Sequence, residues 1–204
     1  MPLPPNQPAI IFNNEKWGVY GELGEGSGVR IRFIQTAIEP NEFEKNKLVP
    51  DIQGSERWDV RDLFQREIDE DRVGEIKQYL ENNDDVKFFN PLTLVVLPMN
   101  ENKTQVIKET SYLTEDAEKI GGQDYKSYLR KNFFKINIDQ NHDFGRIAWN
   151  DKSCNIAAID GQHRLSALKR MHQEGNLDGF RWKVPVVLLT IEKISNEKIR
   201  TISR

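Results

Sequence analysis

The chain has 204 residues, a net charge of −3 and a pI of about 5.7, with 37% apolar and 30% charged residues. That balance is typical of a soluble protein with a core large enough for one domain, and it supplies no global pull toward nucleic acid or an anionic membrane. The single cysteine, Cys154, excludes an internal disulfide framework. No apolar run approaches the roughly 18 residues of a membrane span, and the proline-bearing N-terminus lacks a basic leader region, so the expected location is cytoplasmic.

Residues 1–8 read as an extended, disordered lead-in, and residues 9–204 as a single domain of mixed α/β (α+β) class. Ala9–Phe12 is read as a short strand. Trp17–Leu23 and Val29–Ile34 flank Gly24, Gly26 and Gly28, and the second arm alternates at period two, which predicts a hairpin. The glycines do not read as a phosphate loop, because that motif needs a helix after it and a strand follows. Glu39–Pro50 predicts a turn and a short helix, and Gln53–Asp59 a loop. Ile68, Arg72, Val73, Ile76, Tyr79 and Leu80 share one helical face, so residues 69–82 form an amphipathic helix with Asp69 as its cap and Asn82–Asp85 as its end.

Phe88–Pro98 is the most apolar run and predicts a central strand bracketed by Pro91 and Pro98. Residues 99–131 are polar and form a candidate insertion. Within and just after them, Lys126, Arg130, Lys131 and Lys135 interleave with Tyr125, Tyr128, Phe133 and Phe134. This is the candidate nucleic-acid contact; its competing reading is a solvated amphipathic edge. Phe134–Ile138, Arg146–Trp149 and Asn155–Ile159 are predicted strands. A helix with Leu165, Leu168 and Met171 as its buried line follows, stopped at Gly175, and Trp182–Ile191 is the next buried strand. Ser195–Ile202 opens a helix without a stop signal, which predicts a truncated chain.

The chain's chemistry concentrates where the strand ending at Ile159 enters that helix through Asp160-Gly161-Gln162-His163-Arg164. Gly161 permits a tight turn, the helix start offers unpaired N–H groups, and Arg164 offers a planar cation. The corner therefore reads as an anion site, with a nucleotide phosphate as the natural ligand. The bland reading stands beside it: Asp160 caps the helix, and Gln162, His163 and Arg164 form an ordinary solvated turn. On a third reading, Asp160 faces away and binds a metal ion, a ribose or the Arg164 guanidinium.

Ile159-Asp160-Gly161-Gln162-His163-Arg164-Leu165 resembles the signature of the DGQHR-domain family. That family includes DndB-like proteins of DNA phosphorothioation systems and DpdB-like proteins of deazaguanine modification systems, and its fold is similar to the ParB/sulfiredoxin superfamily. The related DGQQR-type restriction proteins are nucleotide hydrolases. The resemblance implies a mixed sheet with flanking helices, a continuation beyond the present C-terminus, and a Gln-Arg pair before the first helix that lies near the ligand; Gln65 and Arg66 match that pair.

On the leading expectation the protein binds and hydrolyses a nucleoside triphosphate with Mg²⁺ in a DNA modification or restriction system. Gly161, Arg164, Gln65 and Arg66 then bind the nucleotide, and Asp160, Gln162, His163 and Arg164 are the catalytic set. Asp160 places the metal ion or water, Gln162 orients water, and His163 donates a hydrogen bond or moves a proton. Arg66 offsets phosphoryl charge. The partners are the nucleotide and DNA, met directly or through other proteins of the system, with self-association open. The alternative is a non-catalytic, DndB-like transcriptional regulator that contacts DNA through Lys126, Arg130 and Lys131; a third reading is an inert scaffold. His142, His163 and His172 lack zinc-ligand spacing with cysteines, and no Walker-type Gly-Lys-Ser/Thr occurs. Cys154 reads as passive.

Overall fold

A computed structural model describes residues 12–24, 28–48, 68–82, 90–107, 113–177 and 182–193. Of the predicted strand Ala9–Phe12 only Phe12 is described, and it lies in no strand; the loop at Gln53–Asp59 and the helix at Ser195–Ile202 fall outside the described residues. The described chain is α+β. Its strands are β1 (Asn14–Leu23), β2 (Val29–Ile38), β3 (Lys47–Leu48), β4 (Leu92–Pro98), β5 (Thr114–Ile120), β6 (Gln123–Arg130), β7 (Phe134–Asp139), β8 (Phe144–Trp149), β9 (Cys154–Asp160) and β10 (Val184–Lys193). A 3-10 helix spans Pro40–Lys45, helix α1 spans Glu70–Glu81 and helix α2 spans Gln162–Gln173.

All ten strands join one mixed sheet in the order β3-β9-β4-β10-β2-β1-β8-β7-β6-β5. The predicted hairpin is present as β1 and β2, antiparallel with Gly21 opposite Phe33. β4, expected to be central, is an interior strand third from one edge, and its Leu92, Leu94, Val95 and Val96 are all buried. It lies antiparallel to β9 and parallel to β10. A strand buried on both faces needs a continuous apolar run, which is how β4 reads. Part of the candidate insertion forms β5 and β6, which extend the sheet at the end remote from β9.

α2 lays Leu165, Leu168 and Met171 onto the sheet, all fully buried, in a core shared with Leu92, Leu94, Ile156, Ala158 and Val184. Burying each such side chain contributes roughly 1.5–3 kcal/mol. The helix stops as predicted: Gly175 has φ 74, and the Asn176 N–H reaches back to the Met171 carbonyl at 2.9 Å. α1 packs on α2. Val73 and Leu80 are buried there, but Tyr79, assigned to the same face by periodicity, is 37% exposed. Contact with one neighbouring helix covers a narrower stripe than the full predicted face. Among the described residues, no helix is long and apolar enough to cross a membrane.

Candidate functional site: the β9–α2 corner

β9 ends at Asp160, Gly161 turns with φ 82 and ψ 27, and α2 starts at Gln162. Two causes require glycine here. The dihedral is left-handed, and a Cβ would lie 2.4 Å from Leu92 Cδ2 and 2.9 Å from Arg164 Nη2. Gly161 itself is the N-cap, and no side chain caps α2. The expectation that Asp160 caps the helix is therefore corrected: Asp160 is the last residue of the strand, before the turn. It faces Arg164 instead, with Nη2 3.4 Å from Oδ2, and its carboxylate side chain is 68% exposed.

Arg164 is less free than a bare phosphate fork. Its Nη1 donates to the carbonyl of Asn90, and to that of Pro91 at 3.5 Å. The guanidinium is thereby pinned against the chain leading into β4. Burial lowers its pKa, the Asp160 carboxylate opposes that shift, and Arg72 of α1 adds to it. The group remains a cation at neutral pH.

His163 Nε2 accepts the backbone N–H of Asp69 at 3.0 Å. The neutral ring consequently carries its proton on Nδ1. Asp69 is the predicted cap of α1: its Oδ1 accepts from the N–H groups of Asp71 at 3.0 Å and Arg72 at 3.2 Å. Farther along, Arg170 pairs with Glu70, Lys77 with Glu174, and Asn176 donates to Glu81 at 2.7 Å. The two helices thus run in the same direction, and both positive dipole ends meet at the corner.

Of the residues predicted for the site, Asp160, Gly161, His163 and Arg164 are brought to one mouth. Gln162 is buried, at 6% exposure, beneath it. Gln65 and Arg66 lie outside the described residues. Arg72 is the functional candidate that the sequence reading missed. An arginine on an otherwise apolar helical stripe was its signal, and α1 carries it, exposed, to the Arg164 side. Among the described residues, no group of three or more His, Cys, Asp or Glu could hold a metal ion. Asp160 is the exposed carboxylate of the β9–α2 turn, and a lone carboxylate there would fit a hydrated Mg²⁺ ion carried on phosphate oxygens and not an all-protein cage.

The predicted basic–aromatic cluster does not form one basic face. Arg130 is buried, with its guanidinium 5.8 Å from the Phe134 ring. Lys126 pairs with Glu115 at 3.3 Å, and Lys131 stands exposed in a turn. The cause is strand pairing: β5, rich in acids, zips along β6 with Glu115 opposite Tyr128 and Ala117 opposite Lys126. Cys154 is inert as expected. It is buried, donates to the Phe133 carbonyl at 3.2 Å, and burial pushes its pKa up to about 12. No family model, curated protein or solved structure matches this chain.

Proposed function

We propose that the corner binds the phosphates of a nucleoside triphosphate, and that the chain is a DGQHR-type, ParB-like nucleotide-binding and hydrolysing protein of a bacterial DNA modification or restriction system. The observation that carries this reading is the meeting of the α2 N-terminus, which no side chain caps, with the Arg164 guanidinium beside the exposed Asp160 carboxylate, where Arg72 of α1 adds positive charge that Arg164 feels. The α2 N-terminus and the fixed cation of Arg164 favour an anion there, whereas the α1 N-terminus is already answered by Asp69, Glu70 and Asp71.

In this reading the α2 N-terminus and Arg164 hold phosphate oxygens, and Arg72 adds a second cation from across the mouth. His163 donates from Nδ1–H, since Nε2 is engaged with Asp69. Gln162 supports the turn from below. Asp160 would hold a Mg²⁺ ion together with the phosphates, and that ion supplies charge neutralisation when bound. Arg66, three positions before Asp69 in the chain, is proposed as a further phosphate ligand.

The test is a thermal-shift and phosphate-release screen of ATP, GTP, CTP and UTP with Mg²⁺, on the wild type and on Arg72→Ala, Asp160→Asn and Arg164→Ala. A nucleotide at 100 times its dissociation constant adds about 2.7 kcal/mol of stability. Arg72 and Asp160 are exposed, so their variants keep the fold while losing the shift. A folded protein indifferent to all four nucleotides refutes the reading, and salt-sensitive binding to promoter DNA in that sample would favour the regulator instead.

A further inference from the structure

A second concave site lies on the helix-bearing side of the sheet, toward the other end of β9. It is a cavity of about 610 Å³, within the range of small-molecule pockets. Its apolar lining is the Trp149 indole of β8 with the edges of Ile38 of β2 and Ile156 of β9, and the fully covered Leu94 of β4 and Leu188 of β10 lie behind them. Its rim carries Lys16, Lys45, Lys47 and Lys103.

The rim charges are not mutually cancelled. Of its acids, Glu15 takes Arg146 at 2.8 Å, Glu42 takes Lys16, Glu44 faces His172 at 3.5 Å, and Asp151 takes the Asn13 amide. Among the described residues, the side chain of Lys47 makes no hydrogen bond or ion pair, its backbone being paired with β9. Lys45 meets Asp151 only through space, and Lys103 donates to a neutral carbonyl, that of Asp151. With Glu15 and Glu42 taken by Arg146 and Lys16, the three ammonium groups of Lys45, Lys47 and Lys103 face the carboxylates of Glu44 and Asp151, which leaves a surplus of one positive charge.

The walls are also fixed. Phe43 of the 3-10 helix is fully buried against α2, and Lys169 of α2 donates to the Asn46 carbonyl at 3.0 Å. The Lys16–Glu42 pair ties that shelf to β1 across the opening. A preformed concavity between braced walls loses little entropy when a ligand enters.

We propose that this cavity binds a small organic anion with a flat apolar body, its ring on the apolar lining beside Trp149 and its anionic group among Lys45, Lys47 and Lys103. The site is independent of the corner. Ile156 and Asp160 stand four residues apart on β9, roughly 13 Å at strand rise, and no residue is shared.

Two fluorescent probes with the same apolar body test it: 8-anilinonaphthalene-1-sulfonate and its uncharged analogue N-phenyl-1-naphthylamine. The expected result is one sulfonate per chain, excited by energy transfer from tryptophan and bound about tenfold more tightly than the neutral probe. The double variant Lys45→Glu/Lys47→Glu, at two exposed positions, abolishes that preference while circular dichroism and melting stay unchanged; Lys103→Glu repeats the test from the opposite side. Leu23→Asp, at a position 59% exposed on the other face of the sheet, leaves binding intact. Absent sulfonate binding, equal affinity for the two probes, or loss in Leu23→Asp instead of the lysine variants overturns the proposal.

Discussion

Replacing Gly161 by alanine tests the geometry on which the corner rests. Two costs add. A non-glycine residue in the left-handed region costs roughly 1–2 kcal/mol. The new Cβ would also sit 2.4 Å from Leu92 Cδ2, a fully buried side chain with no room to retreat, and 2.9 Å from Arg164 Nη2. Overpacking of that kind costs roughly 1–3 kcal/mol. The expected loss is therefore about 3 kcal/mol, read as a lower urea midpoint at unchanged slope. Two other glycines separate the terms. Gly121 has φ +58, and a Cβ there would meet nothing within 4 Å, so Gly121→Ala should lose only the dihedral cost, about 1–2 kcal/mol. Gly74 sits inside α1, with no positive φ and open space around it, so Gly74→Ala should gain roughly 0.5–1 kcal/mol. If Gly161→Ala costs no more than Gly121→Ala, then Leu92 and Arg164 do not enclose the turn, and the corner is not fixed by packing.

Asp69→Ala removes the acceptor for the Asp71 and Arg72 N–H groups and should lower stability by about 1 kcal/mol in chemical denaturation, whereas Asp69→Asn should lose far less. Leu165→Ala, at a fully buried position under α2, should cost roughly 2–5 kcal/mol, and a melting curve within a degree of wild type would contradict the packing described. The buried Cys154 thiol, pushed up to about 12, stays protonated in the folded chain while the unfolded chain titrates near 8.5. Its contribution is complete below about pH 8.5 and is lost as pH rises from there toward 12, at up to about 1.4 kcal/mol per pH unit. Cys154→Ala should flatten that alkaline slope in denaturant titrations between pH 8.5 and 10; an unchanged slope would show that the thiol is not shielded.

Much of the local structure is legible in the chain because its causes are local. The hairpin of β1 and β2, the α1 cap at Asp69, the stop at Gly175 and the apolar run of β4 each rest on residues a few positions apart. The corner was legible as a strand turning into a helix at Gly161 for the same reason. What the residues could not announce is which distant groups share a surface. Strand pairing set the acids of β5 beside Lys126 and folded Arg130 inward, so a cluster that looks basic along the chain is not a basic face. Packing of α1 on α2 brought the Asp69 amide onto His163 and set Arg72 near enough for its charge to bear on Arg164. The lysine-rimmed cavity likewise draws its lining and rim from segments far apart in sequence. By itself the sequence determined the elements, their caps and the turn, through propensity and patterning acting over a few residues. Only the tertiary structure decided which charges meet, which are buried and which stay free, because those outcomes depend on contacts between elements that no local pattern encodes.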